Sequence, residues 1–271
     1  MIEMLSYDFM QRAFIAGILI GILCSLISFF VVLKRLSFIG VGISHSAFGG
    51  VALGTLLGVN ITFTALLFSM SMAGFTGFFS KKGKLHEDTA IGIIFSVTMA
   101  LGIIFVGLAK GYNSELFGYL FGSILSVTNT DIWIILVLGF LVISTIILLF
   151  KEFLYISFDE EMAFVQGIPV GFLYYLLLFL IAITIVISIK IVGIILISAL
   201  LVIPGASAKL ICFNFKKMIS FSILFSFVSV IFGLSISYFF NLASGATIVL
   251  FSFLIFLICF FLSPKSKRGR K

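Results

Sequence analysis

Long apolar runs constrain the fold of this chain more than any other feature. The runs are about 18–22 residues long, and a helix of that length crosses a hydrocarbon core of about 30 Å. Lipid offers no partner for unpaired backbone groups, so only helices and closed barrels span it. The alternating pattern of a barrel strand is absent from these runs. The sequence therefore predicts an all-α polytopic membrane protein.

The composition leaves no room for a separate soluble domain. Hydrophobic residues make up 62% of the chain and charged residues 10%, whereas a soluble domain carries about a quarter charged residues. We expect one transmembrane domain over residues 1–271. Its first apolar run, 13–33, is longer than the core of a signal peptide and ends in Lys34-Arg35, which predicts a retained helix.

The apolar runs divide into about nine predicted spans. A break at Lys190 splits the nearly continuous stretch 172–209, because a lysine at mid-membrane is costly. If this stretch is counted as one span, the total is eight spans. The basic turns and the basic tail 265–271 then share one side, which predicts a cytoplasmic C-terminus and an outside N-terminus in the cell membrane. The spans are 13–33, 42–58, 61–79, 89–109, 131–150, 172–189, 191–209, 218–240 and 246–262.

The net charge of +7 does not indicate nucleic-acid binding. Five of the 17 basic residues fall in the tail, and most of the others flank apolar runs, as expected of cytoplasmic loops. We predict membrane lipid as the surroundings and no nucleic-acid partner. The three cysteines lie singly in apolar stretches, which favours apolar packing over a disulfide or a metal site.

The second span carries small residues at every fourth position. This small-residue stripe lets another helix approach closely, and its members are Gly42, Ser46, Gly50, Gly54 and Gly58. His45 lies beside the stripe. The imidazole either bridges two helices by a hydrogen bond or lines a passage and contacts a cation. Because an ionisable group inside a membrane is costly without a use, we favour the cation.

Enzyme motifs are missing from the sequence. It has no glycine-rich phosphate loop; Gly83-Lys84 lacks the required upstream glycine and the following hydroxyl residue. It also has no histidine or serine motif of a membrane hydrolase. Asp88 or Thr89 is expected to cap the helix that follows His86 and Glu87, a role we favour over a cytoplasmic metal site. We predict a protein that is not an enzyme.

Two connecting segments are unusual. The stretch 110–130 is too apolar for a solvated loop and too interrupted for a span, so it either dips into the outer face or lies at the interface. The stretch SFDEEMAFVQGIPVG (157–171) is amphipathic and acidic at its start. It predicts a short helix ended by Gly167 and Pro169, which serves either as a solvated connector or as a docking helix.

Several motifs together resemble the permease subunits of bacterial ABC importers for zinc, manganese or iron. The resemblance covers residue 12 to about 261. The resemblance rests on five segments: RLSFIGVGISHSAFGGVALG (35–54), YLFGSILSVTNTD (119–131), SFDEEMAFVQGIPVG (157–171), KIVGIILISALLVIPGASA (190–208) and SGATIVL (244–250).

The resemblance implies an architecture similar to the cobalamin importer and an ATP-driven import mechanism. Two permeases, two ATP-binding subunits and an extracytoplasmic metal-binding protein would work together, with the divalent metal as cargo and no permanently bound cofactor. Segment 157–168 matches the coupling helix that docks on the ATPase, and His45 matches the family's histidine. The matched coupling residues are Asp159, Glu160, Glu161, Ala163 and Gly167.

The chain departs from this family at position 41. Many relatives have an aspartate one turn before the histidine, where the two can share a cation, but this chain has Val41. We expect zinc as the first candidate, followed by manganese or iron. A gradient-driven secondary transporter is the alternative; it is disfavoured because such proteins place charged relays at mid-membrane, whereas the acids here cluster at span ends.

Overall fold

The computed structural model of the protein describes residues 4, 6–109, 122 and 127–263. All the regular secondary structure in these residues is helical, as the sequence predicts. The helices are α1 (Asp8–Leu33), α2 (Ile39–Leu57), α3 (Ile61–Gly83), α4 (Glu87–Leu108), α5 (Asn129–Leu148), α6 (Phe150–Phe158), α7 (Glu160–Val165), α8 (Val170–Leu200), α9 (Ile203–Ile211), α10 (Phe215–Phe240) and α11 (Ser244–Leu262).

Eight helical segments of this part of the chain are long and apolar enough to cross a membrane. Seven of them are single helices, and the remaining one is the 42-residue segment Val170–Ile211, which joins α8 and α9. The predicted polytopic helical class is therefore confirmed. Most of the unusual stretch 110–130 lies outside the described residues, so neither alternative for it is decided.

The long segment turns back on itself at Gly193. This glycine has φ 80° and ψ 165°, a conformation that L-residues with side chains avoid. Tyr174 lies beside Lys34, with 5.2 Å from Nζ to the ring centre, and Lys209 Nζ donates to the Val32 carbonyl at 3.4 Å. Both ends of the segment thus lie near the end of α1, whereas a straight helix of this length would separate them by about 60 Å.

The predicted break at Lys190 is wrong by three residues, because the helix continues through Lys190 to Gly193. Lys190 lies beside the bend and forms an ion pair with Asp131 at 2.7 Å, so its charge is compensated near the bend. With the reversal counted, the described chain makes nine passes between the two ends of the bundle.

The basic turns gather at one end of the bundle, here called the basic end. Lys34 and Lys81 both lie over the Tyr174 ring, and Lys34 also pairs with Glu160 of α7. The opposite end carries Asn60, which caps α3 by accepting from Phe63 N at 3.0 Å. The sequence-based grouping of these basic residues on one side agrees with this arrangement.

Buried serines hold α1 against its neighbours in the apolar core. Ser226 Oγ of α10 donates to the Gly21 carbonyl at 3.0 Å, and Ser222 Oγ donates to the Ser25 carbonyl at 3.2 Å. Near the basic end, Gly205 N of α9 donates to Ser28 Oγ at 3.0 Å. Small side chains and interhelical hydrogen bonds stabilise helix contacts where lipid supplies no hydrophobic driving force.

The start of α4 differs from the prediction. The helix begins at Glu87 with His86 as its N-cap, and no side chain caps it. Asp88 and Thr89 are therefore not capping residues. Glu87 and Asp88 still lie in the first turn, where negative charge is favourable because of the helix dipole.

Candidate metal-passage and docking sites

The first part of the small-residue stripe on α2 packs against α4. A Cβ placed on Gly42 would lie 2.6 Å from the Ile91 side chain, so a larger residue there would force Ile91 to shift. One turn later Ser46 Oγ lies 3.1 Å from Thr98 Oγ1 of α4. These contacts place the two helix backbones close together, as small residues at an interface permit.

The next part of the stripe packs against α3. A Cβ on Gly50 would lie 2.7 Å from the Ala65 Cα, and one on Gly54 would overlap the Thr64 hydroxyl. Gly58 does not share this packing: a Cβ there would meet nothing within 4 Å, and Gly58 ends α2 with φ 65°. Its assignment as a packing residue is replaced by a helix-terminating role.

His45 lies on α2 beside these contacts, about 9 Å from the start of the helix at Ile39. Its Nδ1 is 2.9 Å from the Val41 carbonyl oxygen. A carbonyl oxygen only accepts, so Nδ1 carries the proton and donates, and the lone pair of Nε2 is available to a ligand. The ring meets Phe95 of α4 edge-on, with centroids 5.0 Å apart.

This arrangement fits a ligand that approaches from outside the packed stripe. His45 is half-buried in the single chain, while the stripe glycines beside it are buried. A hydrogen bond from the second ring nitrogen to a backbone carbonyl is the usual device that orients a metal-binding imidazole. Among the described residues there is no cluster of three or more histidine, cysteine or acidic side chains that could hold a metal ion, so His45 is not part of such a multi-ligand site.

The predicted single helix over 157–168 is two helices. Helix α6 ends at Phe158, and Asp159 then begins α7 as its N-cap, accepting from Met162 N at 2.9 Å. Gly167, with φ 80°, ends the element, and Ile168 N donates back to the Ala163 carbonyl at 3.1 Å. This is the glycine-based termination expected from the sequence.

Most of the predicted coupling residues face the permease or shape its backbone. Glu160 pairs with Lys34, and Ala163 is fully buried. Asp159 caps α7 and Gly167 terminates it. Glu161 is exposed, so it is the one of the five that is exposed and has no such structural role.

The sequence predicted an amphipathic segment here, but its large apolar side chains were not among the predicted coupling residues. Phe164 and Val165 are 74% and 78% exposed, and Phe158 and Met162 are also exposed. They lie outside the segments long and apolar enough to span a membrane, and a clustered apolar surface in water is typical of a protein-docking site. The signal in the sequence was the set of apolar residues interleaved with the acids.

The opposite end of the bundle holds an ion pair, between the buried Asp131 and the exposed Lys190, that the sequence did not predict. Asp131 accepts from Lys190 Nζ at 2.7 Å, and from the Thr128 amide and hydroxyl at 3.0 and 2.7 Å. The pair lines a cavity of about 60 Å³ between α3, α5 and α8. The Asp131 carboxylate accepts from three donors. We therefore infer that this pair stabilises the contact between α5 and the bend at Gly193.

Comparisons of the sequence with known proteins cover nearly the whole chain. The sequence model of the ABC 3 transport family matches residues 6–263. The chain is 41% identical to the manganese transport system membrane protein MntC of Listeria monocytogenes, over 97% of this chain and 93% of that protein. It is 40% identical to the manganese import system permease protein ScaB of Streptococcus gordonii, over 96% and 94%.

Solved structures share the same fold. PsaBC from Streptococcus pneumoniae in complex with Fab contains a chain that matches with a TM-score of 0.85 and 39% identity, over 96% of this chain and 94% of that one. An inward-facing putative metal-chelate type ABC transporter matches with a TM-score of 0.76, over 93% and 85%. Its identity is 17%, so this second likeness concerns the arrangement of helices alone.

Proposed function

We propose a cargo and a transport route for this chain from the premise that it belongs to the ABC 3 transport family. It is the permease subunit of a metal-ion ABC importer, and ATP is hydrolysed on a separate subunit. This membership replaces the alternative of a gradient-driven secondary transporter.

The proposed cargo is manganese, with iron and zinc as competitors. The observation that carries this choice is the naming of two relatives, each at least 40% identical over nearly the whole chain, for manganese transport or import. Zinc, which the sequence placed first, has no such support. The divalent cation is the transported substrate, and we propose no permanently bound cofactor.

His45 is the proposed contact for the cation on its route. Its Nε2 has the free lone pair that a metal requires, and its ring is held by the Val41 carbonyl. The valine at position 41 supplies no side-chain ligand, whereas carboxylate oxygens suit manganese well. A single imidazole per chain holds a passing ion weakly, which suits a contact that must release its cargo.

The proposed assembly contains two copies of this permease, two ATP-binding subunits and an extracytoplasmic metal-binding protein. Half-buried His45 would then face the passage between the two copies. The basic end would lie in the cytoplasm, in agreement with the positive-inside rule. There the exposed residues of α6 and α7, with Phe164 and Val165 prominent among them, would dock on the ATP-binding subunit, and Glu161 would supply charge at the edge of that surface.

Metal-stimulated ATPase activity of the reconstituted complex tests the proposed cargo. The permease is copurified with its ATP-binding subunit, placed in vesicles with the binding protein, and exposed to manganese, zinc and iron in turn. We expect the largest stimulation with manganese. Stimulation by zinc alone would overturn the choice of manganese but leave the permease assignment intact.

A further inference from the structure

An ion pair joins α7 to the turn that precedes α2, the helix that carries His45. Glu160, the first residue of α7, accepts from Lys34 Nζ. The Lys34 side chain is only 6% exposed, whereas that of Glu160 is 43% exposed. Lys34 is the buried member of the pair, and a buried charge that loses its partner is costly, so the lysine is expected to follow the carboxylate when α7 moves.

The turn that contains Lys34 is tightly bonded. Arg35 has φ 60°, and Leu36 N donates back to the Val31 carbonyl at 2.9 Å, which is the hydrogen bond of a Schellman motif. Leu36 is fully buried, and Ile39 N donates to its carbonyl at 3.0 Å. Helix α2 therefore begins directly from a hydrogen-bonded turn, so a displacement at Lys34 is expected to reach the start of α2.

The same lysine is also held by α8. Lys34 Nζ and Lys81 Nζ lie 5.2 and 4.4 Å from the centre of the Tyr174 ring. The ring is almost completely buried, and cation–π contacts are strongest where water is excluded. Lys34 thus touches α7 and α8 at once, while its backbone connects α1 to α2.

Open space adjoins the ion pair on the basic end. A cavity of about 520 Å³ is lined by Lys34, Arg35, Glu87, Ile156, Glu160 and Lys209 among others. The pair therefore has room to shift without displacing packed core residues.

We infer that the Lys34–Glu160 pair transmits the movement of α7 to α2, and so to His45. This inference rests on the proposed function, because it requires α7 to move with an ATP-binding subunit. Glu160 then acts as a positioning residue that faces the permease, in contrast to the outward-facing apolar residues that dock. Spatial connection alone does not establish coupling, so the test measures coupling directly.

A double-mutant cycle on the reconstituted complex provides that test. Glu160→Gln, Lys34→Met and the combined variant are compared for manganese transported per ATP hydrolysed. We expect each single change to lower this ratio about five-fold, and the combined variant to be no worse than the lower single variant, since interacting residues are not additive. Yield and copurification of the ATP-binding subunit should match the wild type.

Lys151→Met and Asp88→Asn are matched controls, since both residues are exposed at the same end and neither contributes to the pair. An unchanged ratio in both single variants, additive losses in the combined variant, or loss of the ATP-binding subunit from either single variant would each overturn the inference. Failure of the wild-type complex to transport manganese, zinc or iron would instead contradict the proposed function.

Discussion

His45 was recognisable in the sequence because an imidazole within an apolar span has a clear cost. The tautomer of its imidazole could not be predicted from the sequence. The tautomer depends on the distance of 2.9 Å between Nδ1 and the Val41 carbonyl, which only the structure supplies. Likewise, Lys34 and Glu160 lie 126 positions apart in the chain, and no local pattern indicates that they meet.

Val41→Asp is the most informative single change at the residue scale. An aspartate at this position stands one helical turn before His45 and adds a carboxylate, a ligand type that manganese prefers over the softer nitrogen and sulfur donors. We expect the manganese concentration for half-maximal ATPase stimulation to fall about ten-fold, which corresponds to about 1.4 kcal/mol.

Val41→Asn is the matched control for this change, because the asparagine side chain has nearly the same shape as that of aspartate but carries no charge. Its manganese response should stay near that of the wild type. Equal responses of the aspartate and asparagine variants to every metal would show that position 41 does not face the passage.

Helical elements were predicted well where a single periodic feature decided them. Small residues at every fourth position identified the packing face of α2, since that spacing aligns them along one side of a helix. The bend in the long apolar segment was predicted at Lys190 because a lysine within a span is costly. Nothing in the sequence distinguishes Gly193 from the other glycines of the chain. The division between α6 and α7 was missed, although Asp159 is a good N-cap residue placed before two glutamates.

Gly50→Leu tests the packing of α2 at the element scale. The Ala65 backbone leaves no space beside Gly50, and backbone atoms cannot rotate away as a flexible side chain can. We expect an overpacking cost of about 1–3 kcal/mol, seen as a lower midpoint of thermal unfolding in detergent and a reduced yield of folded protein.

Gly92→Leu is the control for this packing test, because a Cβ at Gly92 meets nothing within 4 Å and the residue is exposed on α4. Its unfolding midpoint should remain close to that of the wild type. If the two leucine variants were equally stable, α2 would not be packed on α3 as described.

At the scale of the whole molecule, the apolar runs and the basic turns were sufficient to predict the helical class and the grouping of charges at one end. They were insufficient to distinguish the core-facing side of each helix from the lipid-facing side, because both sides are apolar. The serines that join α1 to α9 and α10 mark the core-facing sides of these helices. The sequence alone does not indicate which group each serine hydroxyl bonds to. The choice of manganese over zinc came from the relatives and from no feature of the fold.

ATP-dependent uptake of manganese into vesicles tests the proposed transport role of His45 most directly. Vesicles containing the permease with its ATP-binding subunit and binding protein are compared for the wild type, His45→Ala and His45→Gln. Glutamine preserves hydrogen-bonding capacity but is a poor substitute for an imidazole ligand. We predict manganese uptake by the wild type and strong loss in both variants, with normal yield and subunit assembly. Normal uptake by His45→Ala, or normal uptake by His45→Gln while the alanine variant fails to fold, would contradict the proposed role of His45 in transport.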